Sequence, residues 1–158
     1  MTVLIIAASK SDLEVMKKAA AMFKQQKIAY ELRVCSAHRT PEMLDEIISA
    51  NNANDYRVII AGAGLAAALP GVIAAKTVAP VIGVPLTGAF EGLDALLAII
   101  QMPPGIPVIT TGVNNAEEAA LAAARIISNA AKKGNITSIN NKNQKAVDKA
   151  AEALKELK

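Results

Sequence analysis

The chain has 158 residues, 17 of them basic and 14 acidic, for a net charge of +3. That length suits one domain able to bury a core without disulfide or metal staples. So weak a positive field favours a small anion over nucleic acid, which needs a dense basic patch.

A single cysteine excludes an internal disulfide framework, and a single histidine argues against a zinc centre. Apolar residues make up 53% of the chain but aromatics only 3%, so the core must be built from Ala, Val, Ile and Leu. The opening residues lack a basic stretch and turn polar too soon for a signal peptide or a membrane span. A reducing cytoplasmic location and no membrane partner are the expectation.

In chain order, VLIIAA (residues 3–8) is an unbroken apolar run, which predicts a strand buried on both faces. It breaks at Ser9-Lys10-Ser11-Asp12, where Ser11 or Asp12 is placed to cap a helix with Leu13, Met16, Ala20 and Phe23 on one face. YELRVCS (30–36) reads as a second strand. Thr40 as cap and Pro41 in the first turn then open a helix carrying Met43, Leu44, Ile47 and Ile48. RVIIAGAG (57–64) is a third strand running into a loop of small residues, and Leu69-Pro70-Gly71 leads an alanine-rich helical piece to about Thr77.

PVIGVP (80–85) is a fourth strand kept short by its prolines. GLDALLAIIQM (92–102) is helical, and PPGIPVITTGV (103–113) is a turn with a fifth strand. Residues 116–133 form a helix with early glutamates and late lysines, as the helix dipole prefers. After Gly134 comes a polar spacer and then KAVDKAAEALKELK, with Val147, Ala150, Leu154 and Leu157 at helical spacing. The organisation expected is an α/β domain over 1–133 and, over 134–158, a spacer with an extra C-terminal helix that docks on its own domain or on a neighbouring subunit.

Five β-like runs separated by helices predict a doubly wound three-layer α/β/α fold with a mostly parallel five-stranded, flavodoxin-like sheet. Ligands in such folds lie at the carboxyl ends of the strands. That rule selects the loops starting at Ser9, Ser36, Gly62, Pro85 and Gly112.

The first loop offers hydroxyls, a lysine and the start of a helix, which suits an anion, although Ser and Asp there are also ordinary caps. In the second, SAHRTP (36–41), His38 is either merely solvated or a proton acceptor and donor near neutral pH. Arg39 beside it has the fork geometry that grips phosphate. The third loop, AGAGLAAALPG (61–71), is nearly bare of side-chain polarity and lets a flat ligand approach the backbone. Gly62-Ala63-Gly64 is followed by Leu65-Ala66-Ala67, so the dinucleotide fingerprint G-x-G-x-x-G is incomplete.

Taken together, SKSD (9–12), SAHRTP (36–41), AGAG…LPG (61–71), PVIGVP (80–85) and QMPPGIPV (101–108) resemble the PurE family in order and spacing from about Val3 to Ile127. Its members are the N5-carboxyaminoimidazole ribonucleotide mutases and related aminoimidazole ribonucleotide carboxylases of purine biosynthesis. The resemblance implies a small-molecule ribonucleotide substrate, no cofactor, and a homo-oligomer, an octamer, whose C-terminal helices reach onto neighbours. It implies that Ser9, Ser11, Asp12 and Arg39 hold the ribose phosphate and hydroxyls. Ser36, the Ala63-Gly64 backbone and Leu69 would line the pocket, with His38 as general acid/base.

The chain departs from the family pattern at several positions. Ala8 stands for a glycine before SKSD, Ala68 for the histidine of AHLPG, Ala95 and Ala98 for serines, and Glu118 for an asparagine. Leu65 stands where many members carry glycine. Two alternatives to an active mutase follow: a catalytically impaired or engineered PurE-like scaffold, and a direct carboxylase that uses dissolved carbon dioxide.

Overall fold

The computed structural model describes residues 2–54 and 56–130. The expected alternation is present. In chain order it runs β1 (Thr2–Ala7), α1 (Leu13–Gln26), β2 (Ala29–Val34), α2 (Pro41–Asn54), β3 (Tyr56–Ala63), α3 (Leu69–Ala74), β4 (Val81–Pro85), α4 (Leu93–Ile100), β5 (Ile109–Thr110) and α5 (Ala116–Ala130). The sheet order is β2-β1-β3-β4-β5 with every pair parallel. This is the doubly wound, flavodoxin-like order, whose switch point lies between β1 and β3.

Strand β1 shows why the sequence folds this way. Val3, Leu4, Ile5 and Ile6 are all fully buried, because successive side chains enter opposite layers. Val3, Ile5 and Ala7 join Met16, Ala19 and Phe23 of α1 and the alanine face of α5 (Ala116, Ala119, Ala120, Ala123). Leu4 and Ile6 join Leu44, Ile47 and Ile48 of α2, Leu69 and Ile73 of α3, and Ala95 and Ile99 of α4. Full burial of each Leu or Ile is worth about 1.5–3 kcal/mol, so this hexapeptide anchors both layers.

Three details differ from the sequence reading. Strand β5 is only two residues long, because Pro103, Pro104 and Pro107 have no N–H to give a ladder. Met43 is 49% exposed instead of facing inward. Leu44, Ile47 and Ile48 define the inner stripe, and Met43 is turned about 100° from Leu44. Asp12 is the N-cap of α1 yet makes no side-chain capping bond. The end of the 116–133 helix, the spacer and the C-terminal helix of 134–158 lie outside the described residues.

Candidate active site

The carboxyl ends of β2, β1 and β3 lie side by side, with Ala7 in register with both Val34 and Gly62. Backbone bonds extend this alignment into the loops. The Cys35 N–H reaches the Ala7 carbonyl at 2.9 Å, and the Ala8 N–H reaches the Gly62 carbonyl at 3.0 Å. The loops after these three strands therefore begin as neighbours at the switch point.

In the first loop the Ser9 hydroxyl donates to Asp12 Oδ2 at 2.6 Å and lies 2.7 Å from the Ser11 hydroxyl. Asp12 is thus drawn back across its own loop, which explains why it does not cap α1. Ser9 and Asp12 are half-buried and Ser11 is exposed. The trio offers an acceptor carboxylate and two hydroxyls at the start of a helix whose dipole favours an anion.

The second loop is closed by its own polar groups. The Thr40 hydroxyl accepts from the Ser36 N–H and donates to the Ser36 carbonyl, both at 3.1 Å. The Arg39 N–H donates to Ser36 Oγ at 3.2 Å. The buried Cys35 thiol lies 3.5 Å from the Thr40 hydroxyl. His38 and Arg39 stand exposed on the crown of this ring. Thr40 sits at the cap position of α2, its carbonyl accepting from the Leu44 N–H at 3.1 Å, and its hydroxyl braces the loop that presents the imidazole.

The third loop forms an arch in which the Ala67 N–H bonds the Gly64 carbonyl at 3.0 Å. Leu65 and Ala67 have φ of 55° and 40°, a region that disfavours residues bearing a Cβ. Ala63 is buried and Gly64 half-buried. Leu69 is 1% exposed and packs in the core with Ala67 and Ile73. Its side chain holds the start of α3 in place and is not on the loop surface with the others.

Ser9, Ser11, Asp12, Ser36, His38, Arg39 and the Ala63-Gly64 backbone thus fall on three adjacent loops at one end of the sheet. Such a set can hold an anion and hydroxyl groups and carry a proton. The sequence reading gave no site role to Thr40, whose signal was its spacing of four from Ser36, or to Thr87 and Asn114, which are 27 residues apart. Marked electrostatic shifts occur elsewhere. Glu31 is held below its ordinary value, chiefly by the hydrogen bond from the Tyr56 hydroxyl and also by Arg33, against the opposing effect of burial. Burial and that same hydrogen bond raise Tyr56. No helix among the described residues is long and apolar enough to cross a membrane.

The family model for AIR carboxylase matches residues 2–152. The N5-carboxyaminoimidazole ribonucleotide mutase of Pyrococcus abyssi is 55% identical over 125 residues, covering 78% of this chain and 72% of that protein. The mutase of Methanocaldococcus jannaschii is 46% identical over 157 residues, covering 97% of each. The crystal structure of Treponema denticola PurE superposes with a TM-score of 0.76 at 27% identity, covering 98% of this chain and 94% of that one. The chain belongs to the AIR carboxylase family.

Proposed function

We propose that this chain interconverts N5-carboxyaminoimidazole ribonucleotide and 4-carboxy-5-aminoimidazole ribonucleotide in purine biosynthesis. The observation that carries the reading is the end-to-end likeness to the Methanocaldococcus jannaschii mutase, over 97% of both chains. The convergence of the SKSD, SAHRTP and AGAG loops on one end of the sheet supports it.

In the reaction the N–carboxyl bond breaks, its electrons return to the exocyclic nitrogen, and carbon dioxide is freed within the pocket. The C4 carbon attacks it to form the new C–C bond, and loss of the C4 proton restores the aromatic ring. His38, exposed on its braced loop, accepts that proton and delivers it to the exocyclic nitrogen, which becomes the amine; the reverse direction carries it back. Ser9, Ser11, Asp12 and Arg39 hold the phosphate and ribose hydroxyls, while Ser36 and the Ala63-Gly64 backbone lie along the base. Leu69 acts through the packing of α3. Retention of freed carbon dioxide depends on holding the partners in place and excluding water.

The test is the ultraviolet absorbance change on adding the 4-carboxylated nucleotide to the purified protein. Turnover is expected; a folded protein that leaves the absorbance unchanged contradicts the reading. The scaffold alternative is not favoured, since relatives 46% and 55% identical carry an enzyme's name. Direct carboxylation is the second reading, favoured by the description of the matched family and by relatives named as phosphoribosylaminoimidazole carboxylases at 50% and 48% identity.

A homo-oligomer, an octamer, is part of the same proposal. Leu93, Leu97 and Ile100 are 53%, 41% and 50% exposed along one side of α4, with Phe90 nearby in sequence at 80%, an apolar face that calls for a partner. The C-terminal segment 134–158 would dock on a neighbouring subunit. Light scattering of the full chain, and of a chain ending at Gly134, tests both. The free, buried thiol of Cys35 suits a reducing cytoplasm.

A further inference from the structure

Three loops at the carboxyl end of the sheet are stacked side by side, and the middle one, residues 86–92, carries none of the groups assigned above. On one side it meets the arch after β3. A Cβ added at Gly88 would lie 2.9 Å from Leu65 Cδ2, and one added at Gly64 would lie 3.2 Å from the Leu86 carbonyl oxygen. The Leu86 N–H bonds the Ala63 carbonyl at 2.9 Å.

On its other side the middle loop meets the loop after β5. The Thr87 N–H donates to Asn114 Oδ1 at 3.0 Å, and the Asn114 amide donates back to the Thr87 hydroxyl at 2.5 Å. The Asn114 N–H also reaches the Pro85 carbonyl at 2.8 Å. Gly92, with φ of 84°, leaves room for Val113, whose Cγ1 would lie 2.7 Å from an added Cβ.

The arch needs such support. Leu65 and Ala67 both hold left-handed backbone, and conformations of that kind persist only where the surroundings over-determine them. Asn114 itself has φ of 59°, which asparagine tolerates better than most residues.

We propose that Asn114 is a positioning residue: through Thr87 and Gly88 it holds the Gly64-Leu65-Ala66-Ala67 arch in the shape that retains freed carbon dioxide. The proposal rests on the mutase reading for its catalytic part. Its structural part stands on the contacts alone.

Asn114→Gly removes both side-chain hydrogen bonds while easing the backbone, and Thr87→Val removes only the hydroxyl. Asn114→Asp keeps the acceptor for the Thr87 N–H, and Thr87→Ser keeps the hydroxyl. The first readout is amide hydrogen exchange of residues 62–68 without any nucleotide. It should quicken about tenfold or more in Asn114→Gly and stay near the parent in Asn114→Asp. The second is the fraction of isotopic label lost to solution per turnover of carboxyl-labelled 4-carboxy-5-aminoimidazole ribonucleotide. It should rise several-fold in Asn114→Gly and Thr87→Val and return in Asn114→Asp and Thr87→Ser.

Lower thermal stability with unchanged arch exchange and unchanged label loss would overturn the proposal. So would faster exchange with unchanged label loss in a protein that turns over. If Asn114→Gly does not fold, Thr87→Val carries both readouts. A parent protein that does not turn over refutes the mutase reading, and the exchange data then decide by themselves whether Asn114 holds the arch.

Discussion

The Thr40 hydroxyl closes a ring with Ser36, accepting from its N–H and donating to its carbonyl at 3.1 Å each. His38 sits between the two on the crown of that ring, so its aim depends on a residue that never faces the ligand. Thr40→Val keeps the shape of the side chain and removes both bonds, leaving the Ser36 N–H short of a partner. The expected cost is about 1–3 kcal/mol of stability, with a fall in kcat larger than the rise in KM. Thr40→Ser should restore most of both, as read from urea unfolding and steady-state kinetics.

His38→Asn should abolish turnover and leave nucleotide affinity within a few-fold of the parent, measured by calorimetry. The side chain is exposed and supports no packing, so its melting temperature should not change. Lost binding together with lost activity would assign His38 to substrate holding and not to proton transfer.

Gly83 in β4 marks where α3 and α4 press against the sheet. A Cβ there would lie 2.5 Å from Ile99 Cγ2, 3.2 Å from Val108 Cγ1 and 3.3 Å from Pro70 Cβ. Two of these belong to β-branched side chains with little rotamer freedom, and Ile99 is buried. Gly83→Ala should therefore destabilise the fold by about 1–3 kcal/mol through overpacking. Adding Ile99→Ala should recover part of that loss in a double-mutant cycle, and additive effects would refute the clash.

The Tyr56 hydroxyl donates to Glu31 and is the largest influence lowering that carboxyl. A carboxyl depressed in the folded state contributes stability above its unfolded value and loses it as pH falls through the folded value. Tyr56, raised by burial and by Glu31, contributes below the ordinary tyrosine range and loses its contribution as pH rises through its folded value. Tyr56→Phe should flatten the acid limb of a urea-midpoint series and remove the tyrosine part of the alkaline limb. The Glu31 side chain is 36% exposed, so the acid effect should be small and salt-dependent. An unchanged acid limb would show that the pair does not couple folding to pH.

Much of the architecture was legible because β1 is a short unbroken apolar run rich in β-branched residues, the pattern of a strand buried on both faces. That the three loops after β1, β2 and β3 are neighbours was legible too, since parallel order fixes which ends of the strands converge. What the sequence hid depends on side chains choosing among neighbours. Asp12 had a helix to cap and bonded Ser9 instead, and the hydroxyl of Thr40, at the start of α2, also closes a ring with Ser36. Met43 looked like core until the stripe of α2 settled on Leu44, Ile47 and Ile48. The Thr87–Asn114 pair joins two loops with no shared pattern, so only the folded chain reveals it.

The central claim is that carbon dioxide freed from one position of the nucleotide is captured at another without leaving the pocket. It is tested most directly with N5-carboxyaminoimidazole ribonucleotide labelled in its carboxyl carbon, turned over in excess unlabelled bicarbonate. Retention of the label in the 4-carboxy product of a single turnover is the predicted result. Unlabelled 4-carboxy product, its carboxyl drawn from the bulk bicarbonate, would contradict the mutase account and make the chain a direct carboxylase.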